Sequence, residues 1–550
     1  MGKHLQPGMA VPASIRSAAR EKALRRRKRR AWSLVLAALI LSMIVGVLIV
    51  RPVFAPQAEM GILYQQPTEV TASPTISVLT EEVTAVVLAT DIPPTDPIKQ
   101  PTLPTQAQAV TYPKDAPILY YAQSGDSLAV LAIHFGVEIS DIASPSPLPE
   151  AGFIPPGQLL LIPSRLDSIS SPLKLLPDTE VVNSPSTVDF DITAFIDDAG
   201  GYLSTYSEYL GSTGNTSGAD IIKRVAWEYS INPRLLLALL EYHSGWVYGQ
   251  PTNLAQLHYP MGYVNYNHKD LYKQSVWAAG EITSGYFGWR EGTVVALTFP
   301  DKSMLRLAPD LNCGTVGLMY LGARLENISE WAGMLYTEES LIALYTRMFG
   351  NPWMRAQAFE PLFTPDITQP EMILPFEINK LWAYTGGPHA AWGAAQVRAA
   401  LDFAPPSEES GCVSSSEWVV ASAEGLVVVR SGDGAVVIDM DGDGFEQTGW
   451  NIVYMHIATQ NRIPIGSWVE VGDRIGHPSC EGGRSTGTHV HIARKYNGEW
   501  VPADGPLPFV LDGWRAKAGS VIYTGWLIKD DQVVRSSLVS SGESFISRGE

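Results

Sequence analysis

The sequence predicts a multidomain α+β chain: a single N-terminal membrane-spanning helix, a small β-α-α-β unit, an all-helical middle and a C-terminal antiparallel β domain. Three observations carry that reading. At 550 residues the chain is too long for one hydrophobic core, so three or four units are expected. Residues 193–365 carry apolar side chains at helical spacing, whereas from about 370 onward short apolar runs alternate with Gly-rich turns. Near the N-terminus, Ala31 to Val50 is an apolar run without a single charge.

Charge fixes the orientation of the first element. Residues 1–51 hold eleven Lys/Arg against one acid, Glu21, although the whole chain has a net charge of −17, so the remainder is near −27. The basic tail 1–30 ends in Arg25-Arg26-Arg27-Lys28-Arg29-Arg30, directly before the apolar run 31–50. Twenty helical residues span roughly 30 Å, the thickness of the hydrocarbon core. The flanking cations place the N-terminus in the cytoplasm and the bulk of the chain outside. A cleaved signal peptide is the competing reading. The run is long for that, and Pro56 after Ala55 disfavours cleavage there. So acidic a body argues against a nucleic-acid partner.

Residues 55–115 are rich in Pro, Thr, Val and Ala without a sustained period and read as a disordered spacer. A compact unit follows at 117–164. Tyr120-Tyr121-Ala122-Gln123-Ser124-Gly125-Asp126-Ser127-Leu128 reads as a strand and then a helix start, and Gly136 ends that helix. A second helix is expected at about Ile139 to Ala143, and Pro156-Gly157-Gln158 turns into the apolar strand Leu159-Leu160-Leu161-Ile162. Across its whole length this unit resembles a LysM domain. The resemblance implies recognition of N-acetylglucosamine-containing chains such as peptidoglycan. One departure is Ser144-Pro145-Ser146-Pro147, which replaces the polar residue expected beside the glycan groove.

A Ser/Pro-containing linker is expected at 165–192, followed by the helical unit 193–365. In that unit Ile231 to Trp246 contains Leu240-Glu241-Tyr242-His243-Ser244-Gly245-Trp246. This text resembles the start of a lysozyme-like lytic transglycosylase domain, in which a general-acid Glu immediately precedes the Ser. Here His243 stands at that position. Glu241 lies two residues earlier, about 200° around the helix. A degenerate sugar-binding or spacer domain is therefore expected, not a working glycosidase.

The C-terminal unit, 370–530 with a tail at 531–550, carries the chemistry. His489-Val490-His491 on a strand points both imidazoles to one face. With it come Gly386-Gly387-Pro388-His389, Ala400-Leu401-Asp402-Phe403 and Tyr454-Met455-His456. Four histidines and an aspartate are the parts of a catalytic zinc site. In content and order these motifs resemble the lysostaphin/LytM superfamily of zinc metallopeptidases, nearest to the β-lytic endopeptidases. The resemblance implies one zinc ion held by His389, Asp402 and His491, with His456 and His489 as catalytic groups beside its open position. Many relatives hold the first two ligands on one local turn. Here Ala390–Leu401 must loop out and return.

Three other features are less specific. Cys412 and Cys480 both lie in the metal-site region and are expected to pair, leaving Cys313 as a buried thiol, although sequence does not settle connectivity. Asp439-Met440-Asp441-Gly442-Asp443-Gly444 resembles the first half of a calcium loop. Its twelfth position is Trp450 instead of Glu, so a polar hairpin turn is the preferred reading. His477 is read as structural. Together the features lead to a membrane-anchored extracytoplasmic zinc endopeptidase acting on peptidoglycan. The alternatives are a non-catalytic wall-binding scaffold or amidase activator, and a glycan-cleaving enzyme working through 193–365.

Overall fold

The computed structural model describes residues 116–393, 397–429 and 434–549. The basic tail, the apolar run 31–50 and the spacer 55–115 lie outside the described residues. Among the described residues no helix is long and apolar enough to cross a membrane.

The small unit pairs β1 (Pro117–Tyr121) antiparallel to β2 (Leu159–Pro163), with α1 (Leu128–Phe135) between them. Tyr120, Leu131, Phe135, Ile142, Leu160 and Ile162 form its core. Gly136 caps α1 in the left-handed conformation at φ 65°, which glycine adopts without strain. The expected second helix is a single 3-10 turn, Ile139–Asp141. It stops there because Ile142 turns into the core and Ala143 bridges Leu161, drawing the chain into extended geometry.

The stretch expected as a linker at 165–192 is built into the helical unit. Leu175, Leu176, Val181 and Val182 are buried, and two 3-10 turns, Asp178–Glu180 and Pro185–Thr187, fold the Pro-containing chain back on itself. Asp178 Oδ1 accepts hydrogen bonds from Asn312 Nδ2 and the Gly314 N–H, both at 2.7 Å. This carboxylate neutralises the positive end of a helix and satisfies one of its unpaired N–H groups.

The helical unit centres on α2 (Gly218–Tyr229), α3 (Pro233–Ser244), α4 (Leu271–Arg290) and α5 (Cys313–Leu325). Asn232 caps α3, and Pro233 occupies its first turn, where no N–H is needed. Gly285 and Gly317 let α4 and α5 approach closely: a Cβ on Gly285 would lie 3.0 Å from the Gly317 Cα.

The C-terminal domain is a nine-stranded antiparallel sheet. Its strands are β3 (Leu381–His389), β4 (Ala400–Ala404), β5 (Gly425–Val429), β6 (Val436–Asp439), β7 (Trp450–Met455), β8 (Trp468–Val469) and β9 (Val490–Tyr496), with β14 (Phe545–Ser547) at one edge. The order is β8-β5-β6-β7-β9-β4-β3-β14, and Glu499–Trp500 adds to β9. A second sheet is formed by β10 (Val510–Leu511), β11 (Trp514–Ala518), β12 (Gly525–Lys529) and β13 (Gln532–Arg535). Residues 531–550 are therefore not a tail. They supply β13 and β14, and buried Ile546 faces Trp382 across the β3–β14 pair. These runs are three and four residues long, too short to show alternation in sequence.

The three units form one packed body. Arg290, at the end of α4, donates to the Ser124 carbonyl of the small unit and pairs with Glu499 of the β domain at 2.9 Å. Tyr286 Oη donates to Glu499 at 2.7 Å. Trp227 on α2 packs edge-on against Trp392, with ring centroids 4.6 Å apart.

Candidate metal centre

Three neighbouring strands bring the donor atoms together. β4 lies between β3 and β9, with Asp402 opposite Gly386 on one side and His491 on the other. His389 ends β3. β3 and β4 pair antiparallel across the twelve intervening residues, so that spacing still places His389 beside Asp402. Gly386 matters to this fit, since a Cβ there would meet Asp402 Oδ2 at 2.4 Å.

His389 Nε2, Asp402 Oδ1 and His491 Nδ1 face one another at 3.2, 3.2 and 3.0 Å. All three residues are buried. The other imidazole nitrogens are tied back: His389 Nδ1 lies 2.9 Å from the Gly387 carbonyl, and His491 Nε2 lies 3.0 Å from the Ala391 carbonyl. A carbonyl accepts, so each neutral ring must carry its proton on that far nitrogen. The near nitrogens are then bare lone pairs, converging with a carboxylate oxygen that finds no hydrogen-bond donor. Such a group is repulsive unless a cation sits in it. Donors of a tetrahedral zinc at about 2.0–2.1 Å lie roughly 3.3 Å apart, which matches this triangle. The two carbonyls supply the outer support that fixes ring orientation at metal sites. The residues present therefore fit a zinc ion.

Burial and charge act together on the three groups. Burial pushes the Asp402 carboxyl up, but His389 and His491 outweigh it and hold the group well below the usual carboxylate range. Burial depresses His389, yet Asp402 more than offsets it and the net shift is upward. For His491, burial dominates and the shift is downward.

His456 and His489 stand beside this triangle. His456 follows β7 with φ 64° and its Nδ1 lies 2.7 Å from the Glu481 carbonyl. His489 Nδ1 lies 2.7 Å from the Gly487 carbonyl, and its Nε2 is 3.7 Å from Asp402 Oδ1. The two rings are 4.4 Å apart. Both therefore carry the proton on Nδ1 and present Nε2 as an acceptor. Burial, then His489 and His491, push His456 down to about 3, so it is neutral at physiological pH.

The surrounding loops are held by covalent and polar links. A Cys412–Cys480 disulfide joins the segment after β4 to the loop before His489, and Cys313 is a buried free thiol. His477 Nδ1 lies 2.9 Å from the Glu417 carbonyl and its ring packs on Trp418, outside the donor cluster. The centre opens into a cleft of about 1670 Å³, lined by His389, Asp402, His456, His489 and His491, and by Arg224 and Tyr272 of the helical unit.

One residue was not foreseen from sequence. Tyr523 stacks on His389 with ring centroids 4.2 Å apart, held by its carbonyl accepting from the Gly387 N–H at 2.8 Å. It lies in a turn of the second sheet at φ 68°, far along the chain from any motif, and no spacing signals it.

In the helical unit, His243 is half-buried, with its Nε2 enclosed. Burial pushes it down to about 4, its Nε2 finds no partner, and Gly262 presses against its ring. The Glu241 carboxylate accepts from the Val247 and Tyr248 N–H groups. Glu241 thus holds the loop after α3, and neither side chain lines the cleft.

Comparison with known proteins is partial. Residues 174–362 match the family model described as the LasA N-terminal domain. That match starts inside the segment expected as a linker. Solved structures that match include the M23 metalloprotease pseudoalterin from the deep sea, 22% identical over 33% of this chain and 99% of that one, with a TM-score of 0.26. The catalytic domain of lysostaphin from Staphylococcus simulans is 22% identical over 23% of this chain and 90% of that one, with a TM-score of 0.17. A zinc-containing peptidase from Vibrio cholerae is 18% identical over 26% of this chain and 39% of that one, also at 0.17. No curated protein matches the chain.

Proposed function

We propose that this protein is a zinc-dependent endopeptidase that hydrolyses peptide bonds in peptidoglycan from the outer side of a membrane, to which residues 31–50 anchor it. The observation that carries the reading is the triangle of bare donor atoms on His389, Asp402 and His491. Its donor atoms converge within 3.2 Å of one another, and their spacing and donor types suit zinc. Bound there, zinc supplies Lewis acidity toward water and a peptide carbonyl at one open position.

The chain's own residues supply the rest. His456 and His489 accept protons at Nε2, because their Nδ1 protons are held by the Glu481 and Gly487 carbonyls. A proton taken up at either Nε2 can be returned to the departing amine, the two-way role for which imidazole is suited. In this reading an extended peptide would lie in the cleft lined by His389, His456, Arg224 and Tyr272. The small unit, docked on the helical unit by Arg290, would hold glycan strands close to that cleft. The intact donor set favours the enzyme over the scaffold, because a scaffold has no use for three converging lone pairs.

The test uses the full-length protein in detergent with purified peptidoglycan. New amino and carboxyl termini, identified by mass spectrometry, should appear and should vanish with a zinc chelator and in His491→Ala. Cleavage that survives both treatments would show that the chemistry lies elsewhere.

A further inference from the structure

The loop between β13 and β14, residues 536–544, is built inside out: its serines hold it together and its aliphatic residues face water. The Ser537 N–H donates to the Tyr384 carbonyl at 3.0 Å, and the Tyr384 N–H donates to the Ser544 carbonyl at 2.8 Å. Both ends of the loop are thus fixed to one residue of β3, the strand that ends in His389. Ser536 Oγ accepts from the Gly525 N–H at 2.9 Å and donates to the Tyr523 carbonyl at 3.1 Å, which ties the loop to the turn carrying Tyr523. Ser544 is fully buried, and its hydroxyl bonds both the N–H and the carbonyl of Ser541 at 3.0 Å. The Ser537 hydroxyl donates to the Val539 carbonyl. Leu538 and Val539, in contrast, are 79% and 76% exposed. Single exposed apolar side chains are ordinary on protein surfaces, whereas neighbours that share one cleft mark a contact site.

The cleft is the one that holds the metal centre. Leu538, Val539 and Tyr523 line it together with His389 and His491. Tyr523 is 40% exposed while its ring stacks on His389. Elsewhere the lining is of another kind. Along 410–417 and 482–488 it is mainly serine, threonine and glycine, as at Ser414, Ser416, Gly483 and Thr486. The cleft therefore offers an apolar surface beside a metal donor and mostly polar, small-residue surface along these two loops.

We propose that Leu538, Val539 and Tyr523 form a specificity subsite that takes an aliphatic side chain of the peptide, close to the bond being cut. The proposal rests on the zinc-peptidase reading and narrows its substrate class. Continuity with the cleft names the occupant, since this surface is open to whatever reaches the metal centre. An aliphatic side chain seated there leaves water and removes Leu538 and Val539 from water with it, the gain that drives apolar association. A polar side chain would lose hydration and find no partner on these residues. Because the loop is already pinned at both ends, little ordering remains to oppose binding.

The test gives zinc-loaded full-length protein a proteome-derived peptide library and reads the cut sites by mass spectrometry. Wild-type cut sites should be enriched in Leu, Ile or Val at one fixed position near the scissile bond. Two synthetic peptides copied from a cut site, with Leu or Ser at that position, then give a ratio of kcat/KM. That ratio should be about 10 or more, the scale on which a hydrophobic pocket discriminates. Leu538→Ser with Val539→Ser should bring it close to unity while zinc content stays stoichiometric. Leu538→Ile should keep the preference. Leu538→Ala alone should lower the ratio several-fold, and it decides the matter if the double variant does not fold. Peptidoglycan cleavage accompanied by no aliphatic preference in the library, by no library cleavage, or by an unchanged ratio in a folded variant would overturn the subsite and leave the zinc-peptidase reading standing. A variant that alters only the oligomeric state would overturn it too, and would assign the patch to a contact between copies. Wild-type protein that cuts neither the library nor peptidoglycan would overturn the zinc-peptidase reading and the subsite with it.

Discussion

At the residue scale, five side chains that differ only slightly in position are assigned two kinds of work. The distinction rests on how closely a ring nitrogen approaches Asp402. His389 and His491 turn a bare nitrogen toward Asp402 at close range, whereas the His489 Nε2 stands off at 3.7 Å. Removing a donor should differ from removing a flanking ring. His489→Gln and His456→Gln are expected to keep stoichiometric zinc while lowering kcat by about 10²–10⁴-fold. His491→Ala should lose zinc itself. Metal content by atomic emission, measured beside kcat, separates the two classes. Loss of zinc from His489→Gln would place His489 among the ligands. The His-x-His spacing made both imidazoles legible as neighbours, because alternation along a strand is a local property. Tyr523 was not legible, since its place over His389 depends on how a second sheet folds against the first.

At the scale of elements, Arg290 shows how one side chain at a helix end can join three units. Its guanidinium reaches the Ser124 carbonyl, Tyr286 Oη at 3.1 Å and Glu499 at 2.9 Å, with only 5% of the side chain exposed. Arg290→Ala leaves the Glu499 carboxylate buried without its cation, which costs about 3–5 kcal/mol. A fall of that size in the unfolding free energy from urea denaturation is expected, and a change below about 1 kcal/mol would show that the pair is replaceable. Arg290→Lys should recover only part, because an ammonium cannot span the partners that the planar guanidinium meets. Nothing in the sequence near Arg290 advertises this role, since its partners are far away in the chain. The same limit explains residues 165–192. Leu175, Leu176, Val181 and Val182 stand among Ser and Pro without helical or strand period, so they read as linker. They are buried because two 3-10 turns fold them into the core of the helical unit. Residues 531–550 read as a tail for a related reason: strands of three and four residues carry too little pattern. The longer C-terminal runs, such as Trp450–Met455 and Val490–Tyr496, were visible because each is long and apolar enough to stand alone.

On the scale of the whole molecule, the small unit is seated on the helical unit through a contact that responds to acid. His134 on α1 is buried, its ring stacks on Trp289 at 3.6 Å, and its Nε2 lies 2.9 Å from the Trp289 carbonyl. Burial pushes His134 down to about 3, against an ordinary value of 6.5, and the nearby Arg306 pushes in the same direction. Arg306 also clamps the end of α1 through the Ile133 and His134 carbonyls, which keeps its charge beside the ring. Because the folded state holds the proton less tightly than the unfolded one, stability falls as acid is added. The contribution is fully present above about 6.5, declines as the pH drops below that value, and levels off only near 3. Seating of the unit should therefore weaken in mild acid. His134→Gln keeps an N–H for the Trp289 carbonyl but cannot take up a proton. Between pH 6.5 and 4, Tm of the wild-type protein should fall more steeply than that of His134→Gln, after comparison at pH 7.5 to correct for the lost packing. Parallel slopes would show that His134 is already protonated in the docked state, and that acid acts on this protein through other groups.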